Sequence, residues 1–203
     1  EKQKLLLEPG TQTSEIQVNQ GVPGQTAQPL REIMPAMESV YGPDHDLTLQ
    51  ARYNLAQALQ QQAKYDETIA IAQDVADRLG KRLGPNHPRV LGALDVIALC
   101  YREQAKYAEA EKISRDLVAM RERVFGQEHP QTWIARANLA TLLAKAGRAQ
   151  EGADLVRAAH EGMIRAIGPD AEITKTIANL HAYVVSETGA MDAATAIYRG
   201  LLA

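Results

Sequence analysis

The sequence predicts an all-α fold of antiparallel helix pairs, and three observations lead there. Similar strings recur: GPDHDLTL, GPNHPRVL, GQEHPQTW and GPDAEITK begin at Gly42, Gly84, Gly126 and Gly168, each 42 residues after the last. Apolar residues inside each period follow helical spacing. Leu55, Ala56 and Leu59 lie at i, i+1 and i+4, one face of a helix. Finally, 45% of residues are apolar but only 4% aromatic. A core that is rich in Ala and Leu and poor in aromatics suits close-packed helices better than sheets.

Further rows keep the same period. Ala56, Ala98, Ala140 and Ala182 form one; Leu55, Ile97, Leu139 and His181 form another, with His181 the weakest member. Leu59, Tyr101, Leu143 and Val185 follow. Ala63, Ala105, Gly147 and Gly189 mark a short turn, after which Thr68, Ala110, Gly152 and Ala194 make a row of small residues. Val75, Leu117, Ala159 and Leu201 continue it. Each repeat therefore reads as helix A, turn, helix B, with a stripe at Ile69, Ala72 and Val75 on the first helix B. The small rows let the two backbones approach.

The Gly that opens each repeat ends the preceding helix B. Asp44, Asn86, Glu128 and Asp170, two places on, are expected to cap helix A, with Pro88 and Pro130 in its first turn, where a missing N–H loses no partner.

Taken along the chain, residues 1–26 (through GTQTSEIQVNQGVPGQ) show no period and read as a linker or partly ordered arm, with EKQKLLLE a short helical remnant. Residues 27–41 align with the ends of the B helices, Ile33 with Val75 and Tyr41 with Leu83. They predict a lone capping helix kinked at Pro35. The repeats then run 42–83, 84–125, 126–167 and 168–203. The last helix, from Asp192 to Ala203, carries Ala196, Ile197, Leu201 and Leu202 with only Asp192 and Arg199 charged. An uncovered stripe favours association. The expectation is a chain that continues past Ala203, or an end that packs on the N-terminal arm or on another copy as a homo-oligomer.

These residues resemble the tetratricopeptide repeat: Leu, small, then large apolar on helix A, and small, then apolar, on helix B. The family period is about 34, so each unit here is longer by roughly two helical turns. The G-P-x-H-P linker, the N-L-A of Asn54–Ala56 and Asn138–Ala140, and K-Y-x-E-A at 106–110 are similar to the kinesin-light-chain type. HEAT and armadillo units share the length but give no reason for this linker. The resemblance implies a TPR-like, right-handed superhelical solenoid whose concave groove, lined by helix A, binds a protein or peptide.

On that reading the groove residues follow by spacing. They are Tyr53, Asn54, Gln57 and Gln61; Asp95, Leu99 and Arg102; Asn138, Thr141 and Lys145, with Ala137 bare; and Asn179, Tyr183 and Glu187. In peptide-binding members of the family an Asn at the place of Asn54 and Asn138 bonds the ligand backbone. Val96 and Leu180 stand there in the other two repeats, so a continuous Asn ladder is absent. The carboxylate-clamp subtype needs Lys and Arg where this chain has Tyr53, Asp95, Ala137 and Gln57.

Other chemistry finds little footing. Net charge is −3, and nucleic-acid binding would call for clustered excess Lys and Arg. No apolar run approaches the roughly 18 residues of a membrane span. The single cysteine, Cys100, excludes an internal disulfide and reads as a small buried hydrophobe in a reducing, cytoplasmic setting. His45, His87 and His129 recur one repeat apart, too far to share a metal, and read as linker side chains bonded to nearby backbone. His160-Glu161 lacks the second His of a zinc-protease helix. No P-loop, dinucleotide fingerprint or nucleophile elbow is present. No enzyme, cofactor or metal is expected. The second reading is a sensor or regulatory module of a larger signalling protein, a kinase or winged-helix regulator, with its effector domain upstream.

Overall fold

The computed structural model describes residues 27–200. Among them are nine helices: α1 (Ala27–Tyr41), α2 (Asp46–Gln61), α3 (Tyr65–Leu83), α4 (Pro88–Glu103), α5 (Tyr107–Phe125), α6 (Pro130–Lys145), α7 (Ala149–Ile167), α8 (Glu172–Glu187) and α9 (Met191–Gly200). The fold is all-α and TPR-like, as the repeat predicts. Helices α2, α4, α6 and α8 are the A helices; α3, α5, α7 and α9 are the B helices. The proposed arm at 1–26 and the side chains of Leu201 and Leu202 lie outside the described residues.

Contacts divide the chain into two compact units, one ending at Gln104 and the other starting at Ala105. In the first, α1 packs on α2, α2 on α3, and α3 on α4. In the second, α5 packs on α6, α6 on α7, α7 on α8, and α8 on α9.

The punctuation of each repeat has a physical basis. Gly84, Gly126 and Gly168 cap α3, α5 and α7 with φ near +90° (91°, 93° and 89°) and ψ of 154°, 165° and 163°. Only glycine occupies that region without strain. The A-to-B turn needs a left-handed residue as well. Gly147 and Gly189 supply it in the last two repeats, but Ala63 and Ala105 take φ of 57° in the first two, an unfavourable conformation for a residue with a Cβ.

The start of helix A differs from the expectation by one residue. The caps are His45, His87 and His129, not the acidic or amide residue before them. Nδ1 of each histidine accepts from the backbone N–H two residues on, at Leu47, Arg89 and Gln131, over 3.2, 3.2 and 3.1 Å. An accepting Nδ1 leaves the ring N–H on Nε2. His45 also stacks on Tyr41 and His129 on Phe125, at ring-centroid distances of 5.0 and 4.8 Å. Pro88 and Pro130 follow in the first turn. The fourth repeat has Ala171 at the cap and no side-chain bond there.

The small rows are buried as their spacing requires: Ala56, Ala140 and Ala182 at 0%, and Thr68 and Ala110 likewise. Leu55, Ile97 and Leu139 are buried too. Helix α1 departs from its predicted register. Ala27, Leu30, Met34 and Met37 face the core, a stripe at i, i+3, i+7 and i+10, whereas Ile33 is 40% exposed. Alignment by helix ends misplaces Ile33 because the buried stripe passes through its neighbour.

Candidate protein-interaction surface

Helix A turns one side to the core, and the extent of its exposed side varies between repeats, wider in α2 and α8 than in α4 and α6. In α2, Gln57 and Gln61 are exposed, while Tyr53 and Asn54 are half-buried. The Asn54 Oδ1 accepts from Gln50 Nε2 at 3.0 Å. Tyr53 lies against the cluster of Leu49, Val75 and Val90, and its hydroxyl sits close beside Gly92 of α4. Burial, reinforced by the charge of Asp95, raises the Tyr53 pKa above that of a free phenol. Tyr53 is therefore mostly a packing residue that joins α2 to α4. In α4, Asp95, Leu99 and Arg102 are half-buried, and Arg102 pairs with Glu103 at 2.9 Å.

Helix α6 is buried nearly all round because α5, α7 and α8 all pack on it. Ala137 is 0% and Thr141 5% exposed, and the Thr141 hydroxyl donates to the Ala137 carbonyl at 2.9 Å. Thr141 thus belongs to the packed side, where its spacing had placed it on the free one. What α6 leaves exposed is Gln131, Asn138 and Lys145, a stripe repeating every seven residues. In α8, Asn179 and Glu187 are exposed, and Tyr183 is half-buried against the cluster of Ile177 and Val184.

Two features escaped the reading by spacing. An open cavity of about 510 Å³ lies among α5, α6 and α7, floored by Val118, Leu139 and Leu155 and edged by Arg115, Arg136 and Asp154. The other is an ionic seam repeated 84 residues apart: Arg52 bonds Glu38 at 2.7 Å, and Arg136 bonds Glu122 at 2.7 Å. Arg136 also lies 4.5 Å over the Trp133 ring. Leu94 and Ala178 occupy the intervening copies, so the first and third repeats share a seam that the other two lack. The matching Asn54 and Asn138 follow the same alternation.

Among the described residues no group of three or more His, Cys, Asp or Glu is placed to hold a metal. Cys100 is buried, and burial pushes its thiol up to about 11, away from the thiolate that a nucleophile needs. No helix among the described residues is long and apolar enough to cross a membrane.

A tetratricopeptide-repeat family model matches residues 53–123 and 90–151. No curated protein matches the sequence. Among solved structures, the nearly identical TPR-like repeats of a kinesin-light-chain candidate from Podosopora anserina superpose with a TM-score of 0.73, at 18% identity, over 98% of this chain and 92% of that one. A single-substitution form of the same protein gives 0.75, at 17% identity, over 98% and 91%. BtubC (BKLC) from P. vanneervenii gives 0.74, at 13% identity, over 93% of this chain and 75% of that one. Residues 53–151 thus match tetratricopeptide repeats, and the chain has the TPR-like all-α fold of these kinesin-light-chain-type structures.

Proposed function

We propose that this protein is a peptide- or protein-binding scaffold that presents the free side of its A helices to an extended partner. The observation that carries this reading is α6. It buries every side chain that packing can take and still keeps Gln131, Asn138 and Lys145 in one exposed row. Side chains of this kind can bond a peptide backbone and a carboxylate without a preformed apolar pocket. Asn54, Gln57 and Gln61 offer the same chemistry on α2. A free, buried cysteine suits a reducing compartment, and we place the protein in the cytoplasm. The arginines sit largely in ion pairs with carboxylates, which favours a protein partner over nucleic acid.

The test starts from a peptide selected by display against the full 203-residue chain. Asn138→Ala should weaken its binding about two- to tenfold, the worth of one hydrogen bond, with an unchanged thermal melt. A lowered melt with intact affinity would move Asn138 from surface to scaffold. Failure to select any peptide would sink the reading as a whole.

A further inference from the structure

The contact between helix B of one repeat and helix A of the next contains a pair of residues 21 apart in sequence. It recurs as Met34 with Leu55, Ala76 with Ile97, Val118 with Leu139, and His160 with His181. The first three pairs are apolar. Met34 and Leu55 share one buried cluster, Ala76 and Ile97 are 4% and 1% exposed, and Val118 and Leu139 line one cavity. In the fourth, both partners become histidine together. Replacing one apolar residue would leave an unmatched imidazole against a core, which is unfavourable. Replacing both creates a matched pair, and the structure brings the rings edge to face, 5.4 Å between centroids, with Nδ1 of His160 3.2 Å from Nδ1 of His181.

We propose that His160 and His181 form a two-histidine site for a divalent first-row transition-metal ion of the zinc and copper class. Imidazole nitrogens bind such an ion at about 2.0–2.1 Å. Two nitrogens on one tetrahedral ion therefore lie roughly 3.3 Å apart, and the two Nδ1 atoms are already at 3.2 Å. Both side chains are half-buried, so solvent completes the coordination. Without metal, one Nδ1 must carry a proton to bond the other. Coordination needs both lone pairs, so that ring moves its N–H to Nε2 through solvent, with no net proton released from a neutral pair. Burial lowers both pKa values below that of a free imidazole, and for His181 the neighbouring His160 adds to the effect; both rings are thus held in the neutral form that metal requires. The carboxylate of Glu161 adds a favourable negative charge nearby, whereas Arg157 opposes binding. The ion would pin α7 to α8, the one contact in the series where apolar packing has been given up. This inference is independent of the peptide-binding reading.

Calorimetric titration of the chelator-stripped, tag-free 203-residue chain with Zn²⁺ tests it. One saturable equivalent and a raised melting temperature are expected. His160→Val and His181→Leu copy the adjacent Val118–Leu139 pair; each should weaken binding at least tenfold, and together they should abolish it and the melting shift. A second readout does not depend on variant folding: in the wild type, Zn²⁺ should shift the imidazole NMR resonances of His160 and His181 and leave those of His45, His87 and His129 in place. No saturable binding by the wild type, undiminished binding by the double variant, or shifts confined to the capping histidines would each overturn the proposal.

Discussion

The α2–α3 pair and the α6–α7 pair occupy equivalent places two repeats apart, yet they close on each other differently. Ala56 faces Thr68 in the first, and both are fully buried. The Thr68 hydroxyl donates to the Lys64 carbonyl of its own helix at 2.9 Å, so the inter-helix gap holds a branched side chain. In the second pair the same position is Gly152. A Cβ there would lie 2.6 Å from the Ala140 carbonyl oxygen. Gly162, three turns along α7, is closed off in the same way: a Cβ would lie 2.2 Å from the Trp133 ring. Trp133 Nε1 in turn donates to the Glu128 carbonyl at 3.1 Å. A row of small residues therefore fixes the existence of a helix contact but not its distance. The distance follows from which small residue is present and what large one fills the space elsewhere.

The largest effect expected from this contrast is in the Leu row. Leu55→Ala and Leu139→Ala remove equivalent buried side chains and should each cost about 2–5 kcal/mol. Leu139 already borders an open cavity, so its loss should fall toward the lower end and that of Leu55 toward the upper. Denaturant melts of both variants measure the order, and a reversed order would mean that α6 is the more tightly packed of the two.

Gly152→Ala comes next. It should destabilise by about 1–3 kcal/mol, because the obstructing atom is backbone and cannot swing away. The control is Gly80→Ala in α3, where nothing lies within 4 Å of the added Cβ. There the substitution should stabilise by up to about 1 kcal/mol through helix propensity. Equal and favourable responses at both sites, read from melting temperatures, would erase the claimed difference in approach.

The smallest effect concerns the caps. His129→Ala removes the bond to the Gln131 N–H and should cost about 1 kcal/mol, while Ala171→Asn supplies the cap that the fourth repeat lacks and should recover a similar amount. Equilibrium unfolding would show whether the histidine acts through that bond. If His129→Ala is neutral, its stacking on Phe125 and its cap are both incidental.

The repeat, its turns and its small rows were legible because a 42-residue period multiplies weak local signals by four. The cap lies one position later than the spacing predicts because a histidine Nδ1 does the job that an Asp or Asn side chain more often does. Thr141 was misplaced because spacing along one helix cannot reveal that three neighbours surround it; in α2 the same interval leads to an exposed Gln57. The meeting of His160 and His181 was hidden for a related reason. In the sequence His181 stands out only as the weakest member of its row and His160 only beside Glu161, and the pairing of helix B with the next helix A is what joins the two into one feature.

Cys100 gives this chain a built-in chemical clock. It is the single thiol in 203 residues, it lies buried in α4, and burial holds its acidity down, at about 11. An alkylating reagent at mildly alkaline pH therefore reacts only when the first unit opens, and the labelling rate reports the free energy of that opening. A native cysteine thus does what an engineered probe would otherwise do. Substitutions confined to the second unit, such as Gly152→Ala, then answer a question that melts cannot. If they leave the labelling rate alone, the two units breathe separately, and if they speed it, the repeats open as one cooperative body.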